Sequence, residues 1–132
     1  MALTQDRATL RRDGRTITPL VAADTRIFAG SIVGLTNTGH AVPAGTTGAV
    51  VIVGVAQEQA DNRNDHEGAR FVNVARGTFA FKQTGTPITR AHLGRAVTAA
   101  DDETVSLIAA GAADLVAGFV RDVDADGVWV EF

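Results

Sequence analysis

Glycine is the residue that most constrains what this chain can become. Its 14 glycines punctuate short runs rich in Val, Ile, Phe and Thr, the side chains that suit a pleated, half-buried surface. "TITPLVA" (16–22) reads as a first strand, with Pro19 marking a sheet edge because proline cannot donate to a ladder. "SIVGLT" (31–36) follows the Ala29-Gly30 turn, and "NTG" (37–39) turns the chain into "HAV", a hairpin signal. "GAVVIVGVAQEQ" (48–59) opens as an almost unbroken apolar run, the pattern of a strand covered on both faces. "ADNRNDHEG" (60–68) is polar and aperiodic, so it is expected as an exposed loop. "RFVNVARGTFAFK" (70–82) alternates, with Phe71, Ala75, Phe79 and Phe81 on one parity, and Gly77 inside it predicts a bend or bulge. One stretch is helical: Thr89 can cap a single turn that ends at Gly94. "RAVTAADDETVSLI" gives strand, Asp-Asp turn and strand, and "DLVAGFVRDV" with "GVWVEF" gives a last pair. Strand signals every ten residues or so predict an all-β fold, a single small barrel- or sandwich-like domain of about eight strands with one short helical turn.

Length and composition narrow the class. A chain of 132 residues fits one domain. With 45% apolar and 20% charged residues it can bury a core without staples. There is no cysteine, which excludes disulfides and thiolate metal sites. No apolar run reaches the roughly 18 residues that cross a bilayer, so no membrane partner is expected. The opening "MALTQDRATLRRDGR" is charged where a signal peptide is apolar; a chain that begins near Met1 and is made in a cytoplasm is the expectation.

Charge is unevenly placed. Residues 1–15 carry Arg7, Arg11, Arg12 and Arg15 against Asp6 and Asp13, a net of +2, which leaves −5 for the rest of a chain that totals −3. A nucleic-acid binder shows a basic excess over its whole domain, so nucleic acid is not the expected partner. A basic arm on an acidic body instead points to an acidic protein surface, or else to a frayed, solvated terminus. The chain divides accordingly into an extended N-terminal arm, 1–15, and a β domain, 16–132.

The closing "DVDADGVWVEF" raises a question of metal chemistry. Asp122, Asp124, Asp126 and Gly127 spell the opening of a calcium-binding loop, which needs a bidentate carboxylate at its twelfth position and flanking helices. Counted from Asp122 that ligand falls past Phe132, and the flanks are β-formers. A hairpin uses the same residues better, with Asp124 first in a type I turn and Gly127 supplying a positive φ. That turn sets Val123 opposite Trp129, Asp122 opposite Val130, Arg121 opposite Glu131 and Val120 opposite Phe132.

Catalytic and ligand-binding signals are sparse. His66 and Glu67 with Asp61 and Asp65 lack a metal-ligand spacing and read as a solvated loop. His40 falls in a hairpin and His92 in the helical turn. Ser31 and Ser106 lie in strands with no nucleophile elbow. "GTTG" (45–48) is too short for a phosphate loop and has no lysine. One Trp and no Tyr thinly supply a sugar platform. No catalytic residue, metal ligand or cofactor is assigned, and an enzyme, which would be a small barrel-like one, is the least supported class.

The order of the segments carries a resemblance. "FAGSIVGL", "GVAQEQ", the charged loop, "FVNVARGTFAFK", "ITRAHLGRAV" and "GFVRDVDADGVWVEF", with the opening "MALTQDR", resemble the small capsid cement, or decoration, proteins of tailed bacteriophages along the whole chain. The resemblance implies a compact β-barrel-like structural protein, made in the host bacterial cytoplasm. It would be a homotrimer on the outer capsid surface of the virion, where it clamps the major capsid protein. It brings no catalytic residue and no fixed contact motif. The capsid contact expected from the residues themselves is the arm, with Leu3, Arg7, Leu10, Arg11 and Arg12, because such a segment can add a strand to a neighbour's sheet edge. Another non-enzymatic virion part, a head–tail connector or a host-recognition spike domain, is the alternative.

Overall fold

The computed structural model describes residues 2–132, so Met1, part of the arm read from the sequence, lies outside the described residues. Every regular element is a strand except one 3-10 turn. In chain order the strands are β1 (Thr16–Ile17), β2 (Thr25–Ile27), β3 (Ile32–Thr36), β4 (Ala41–Pro43), β5 (Ala49–Ala56), β6 (Ala60–Asn62), β7 (Val74–Ala75), β8 (Thr78–Gln83), β9 (Ala96–Ala99), β10 (Thr104–Leu107), β11 (Gly118–Asp124) and β12 (Gly127–Glu131). The count of twelve exceeds the eight or so expected because several glycine-bounded segments pair for only two or three residues.

Five strands close a barrel in the order β10-β8-β12-β11-β9, sealed by the antiparallel β9–β10 pair. Only β8 and β10 run parallel. Its interior holds Phe81, Val97, Val105, Val120, Val128 and Val130, joined by Ile32, Ala44 and Val55 from outside the barrel strands. Phe132 packs edge-on against Phe79 and Phe81 at centroid distances of 6.2 and 5.7 Å, the offset that ring quadrupoles prefer.

A second sheet, ordered β1-β7-β5-β3-β4, serves as a wall between two cores. Paired Ile32 and Val55 face the barrel, while Val33, Ala56 and Val74 face a second cluster with Val21, Ile27, Ala41, Ala60 and Val72. The alternation of a strand sends neighbouring side chains to opposite faces, so a short strand can serve both clusters. Isolated bridges Leu20–Phe71 and Val21–Ala41 fold the rim of this sheet back over the second cluster. The strand expected at 16–22 is shorter: β1 ends at Ile17, Pro19 lies outside it, and Leu20 and Val21 pair only through those isolated bridges.

The helical turn spans Arg90–His92, with the Thr89 side chain accepting from the Ala91 N–H and Gly94 at φ +84°. The chain reverses at 37–39 and again near Asp101, giving the β3–β4 and β9–β10 hairpins.

Four further local expectations are corrected. The run 48–59 is not covered on both faces: Val55 and Ala56 are buried, but Val50 and Val51 are 52% and 43% exposed. The polar stretch 60–68 is not wholly an exposed loop, because β6 pairs with β2 and Asn62 is fully buried. Its amide nitrogen donates to the Ala22 and His66 carbonyls, each at 3.0 Å, while its buried Oδ1 has no hydrogen-bond partner. The 70–82 segment is two strands in different sheets, and its inward parity switches between them. Val72 and Val74 point in while Phe71 is exposed; past Gly77 (φ +157°) Phe81 points in. A period-2 pattern cannot run through such a break.

The last correction is the register of the final hairpin. Asp124 pairs with Gly127, Val123 with Val128 and Asp122 with Trp129, one residue tighter than expected. A bulge at Arg121 then sets Val120 opposite Val130 and Phe119 opposite Glu131. This register places Val120, Val128 and Val130 in one core together, and burial of one face is what selects a register. Arg121 and Glu131 still form an ion pair, because the bulge carries the arginine outward.

Candidate functional site

The arm residues singled out in the sequence all lie on the surface. Every residue from 2 to 15 is exposed and none is in a strand. Leu10 is 95% and Leu3 60% exposed, although burying a leucine stabilises by about 1.5–3 kcal/mol. Among the described residues, none of Arg7, Arg11 and Arg12 holds an ion pair. The arm joins the body where the Arg76 N–H donates to the Arg15 carbonyl at 2.7 Å. Just before this, the Asp13 carboxylate accepts the Arg15 N–H at 3.0 Å and bends the chain. The structure thus presents two exposed leucines and three unpaired guanidinium groups on one extended segment.

The aspartates of the closing motif are engaged within a hairpin. Asp124 Oδ1 accepts the Asp126 backbone N–H and the Trp129 indole N–H, both at 2.9 Å. Asp122 Oδ1 accepts the Val123 N–H at 2.8 Å and lies 3.5 Å from Arg90. The Trp129 hydrogen bond first, and the Asp126 N–H second, hold the Asp124 carboxyl below its usual range. A carboxylate whose pKa is depressed by folding stabilises fully above its unfolded value of about 3.9 and loses that contribution as pH falls through the folded value. Trp129 is the sole tryptophan, so its fluorescence reports this bond. Its emission should stay constant from neutral pH to about 4 and change only below that. Asp124→Ala should show the altered emission already at pH 7 and lose the acid step. A step above pH 5, or a variant with unchanged emission, contradicts the assignment.

The 60–68 region is knit together by its own charges. Arg63 grips Asp61 with two bonds of 2.9 and 2.8 Å, which hold that carboxyl far below its usual range. Arg70 donates to the Asp61 carbonyl at 2.9 Å. Asp24 and Asn64, both at positive φ, face each other through a 2.8 Å bond from the Asn64 N–H to the Asp24 carboxylate. His66 pairs with Asp65 and His40 with Glu67. The four side chains weighed as metal ligands therefore do not converge: Asp61 faces Arg63, Glu67 faces His40, and of the four only Asp65 and His66 face each other. No group of three metal-ligating side chains occurs among the described residues.

Of the hydroxyl candidates, Ser31 is buried and donates to Asp102 Oδ2 at 3.2 Å. No histidine shares that bond, so the nucleophile–base–acid order of a triad is missing there. His92 accepts the Thr89 N–H at 3.0 Å and closes a capping box. No helix is long and apolar enough to cross a membrane among the described residues.

One surface feature escaped the sequence reading. β7 pairs with β5 only at Val55 and Ala56, then leaves for the barrel. Among the described residues, no strand or bridge lies beside the first part of β5, from Ala49 to Val53, on the side away from β3. The only available signal was the uncharged run "AVVIV", which suits an open edge as well as a covered strand. Comparison with known proteins adds no relative: no protein-family model, curated protein or solved structure matches the chain.

Proposed function

We propose that the protein is a non-enzymatic virion structural component, a capsid decoration protein that binds the outer surface of the major capsid shell as a homotrimer and stabilises it. The observation that carries this reading is the exposed basic arm on an acidic, closed β body. A decoration protein needs a rigid body and a surface that recognises repeated protein sites. Each copy that binds only the assembled shell then shifts the assembly equilibrium by mass action. In this reading Leu3 and Leu10 supply apolar contact, and Arg7, Arg11 and Arg12 supply charge. The resemblance to phage decoration proteins supports the same role.

Particles that lack the protein provide the test. A chain without residues 1–15 should melt within a few degrees of the full chain, because it keeps every strand. Its affinity for those particles should fall at least about tenfold, the equivalent of ~1.4 kcal/mol. Replacing Arg11 and Arg12 with glutamate should weaken binding most at low ionic strength. Electron microscopy should show the protein spread over the shell. A truncated chain that decorates normally would remove the arm from the contact. A few copies at a single vertex would favour a connector or spike.

A further inference from the structure

The outer face of the β2–β6 ribbon carries a strip of fixed charges around one exposed aromatic ring. Arg26 sits opposite Asp61 in this ribbon, and Ile27 opposite Ala60. Ile27, Ala60 and Asn62 are buried, so alternation turns Arg26, Asp61 and Arg63 outward. Phe28 follows at the end of β2 and is 53% exposed. The Arg26 guanidinium lies over the Phe28 ring, 4.4 Å from its centroid. Gln59, with its amide oxygen turned toward Arg26, accepts from Nε and Nη2 at 2.8 and 2.7 Å. The same ring borders a hollow lined by Gly30, Ser31, Asp102 and Glu103. Ser31 donates its hydroxyl to Asp102 Oδ2 at 3.2 Å, and the Ile32 N–H donates to the Asp102 carbonyl at 2.8 Å. One ring therefore stands between a stacked guanidinium and a tethered carboxylate.

Not every charge on the strip is free. Arg63 holds Asp61, and Lys82 holds Glu103. Arg26 and Asp102, by contrast, take part in no ion pair among the described residues. Both are nonetheless held in place, Arg26 by the ring and Gln59, Asp102 by Ser31 and the Ile32 N–H. A charge already fixed loses little side-chain freedom when a partner covers it. Arginine beside an exposed aromatic ring is also the composition enriched at protein–protein contacts.

We infer that this strip is a two-fold contact between copies of the chain, with the two Phe28 rings meeting at its centre. A surface that covers the strip has to offer a carboxylate to Arg26, a cation to Asp102 and an apolar centre to Phe28. The strip itself, turned through a half-rotation, offers those three groups in that order. Arg26 of each copy then meets the partner's Asp102, so both unpaired charges find their complement, and they do so twice. This is the isologous arrangement, in which one self-complementary patch serves both subunits. The contact also withdraws two exposed rings from water, and aromatic pairs gain beyond the area they bury. A two-fold contact differs from the heterologous one that closes a threefold ring. The inference therefore concerns the isolated protein and stands apart from shell binding and from the trimer proposed there.

The absence of cysteine allows a direct test, because a two-fold axis brings a central residue onto its own copy. Phe28→Cys, oxidised mildly, should form a disulfide-linked dimer at least about tenfold faster than Leu93→Cys. Leu93 is the control because it is similarly exposed, at 48%, beside the helical turn. In sedimentation equilibrium, Arg26→Glu and Asp102→Arg should each raise the dimer dissociation constant at least about tenfold. The chain that carries both changes should recover the dimer, since each contact regains an opposite pair in reversed order. Should a charge variant fail to fold, the Phe28→Cys comparison still decides. Cross-linking no faster than the Leu93 control overturns the inference, as does a full chain that stays monomeric at every concentration. So do single variants that associate as the full chain does. A double variant as weak as the singles overturns it in favour of a partner other than this chain. Monomers that decorate particles would retain the shell reading and discard this one.

Discussion

Aspartate at position 32 and aspartate at position 33 should each leave the chain largely unfolded at 25 °C, although the two side chains point in opposite directions. Ile32 and Val33 are both fully buried, the first in the barrel cluster and the second in the cluster behind the wall. The buried polar side chains among the described residues are Ser31 and Asn62, neither of them cationic. An unpaired carboxylate there carries an effective desolvation penalty of several kcal/mol, and the lost apolar burial adds about 1.5–3 kcal/mol. Domains have total stabilities of about 5–15 kcal/mol, so either change removes most of the margin. Chemical denaturation followed by circular dichroism is the measurement. A strand with one solvated face would tolerate one of the pair, and a stable Ile32→Asp or Val33→Asp protein would therefore refute the two-sided wall.

Gly54→Val should destabilise nearly as strongly, by roughly 3–5 kcal/mol, within the range seen for exceptional single changes. Gly54 sits in β5 at φ +153°, opposite Val33 and beside β7. A Cβ there would lie 2.5 Å from the Ala75 carbonyl oxygen and 2.9 Å from a Val74 methyl. Relief would require β7 to separate from β5 at the only two rungs that join them. Gly94→Ala is the control: its φ is +84°, but nothing lies within 4 Å of the new methyl. That change should cost only about 1 kcal/mol, the ordinary penalty of a left-handed backbone for an L-residue. If the two variants melt together, backbone conformation rather than close approach sets the cost at Gly54.

The all-β class, the turn positions and the single capped turn were legible in the chain because each depends on neighbouring residues. Thr89 caps and Gly94 terminates whatever lies around them, and Gly127 takes φ +130° because its hairpin demands it. The exposure of residues 2–15 follows the charged composition of the segment, which offers too little apolar surface to offset ordering about 1–2 kcal/mol of backbone entropy per residue.

Other properties were settled only between segments distant in sequence. "AVVIV" reads as a covered strand, yet β7 departs at Gly77 and leaves half of it bare; the departure is encoded some twenty residues later. Asn62 looks like loop, yet it is buried because the Ala22 carbonyl, forty residues earlier, receives its amide. The final hairpin slipped by one residue because burial of Val120, Val128 and Val130 in a shared core outweighs the local turn preference. Short-range sterics and hydrogen bonding determine what each segment is, and these act within a few residues. Which strand sits beside which, and therefore which edge stays open, is decided by long-range burial that exists only once the chain has closed on itself.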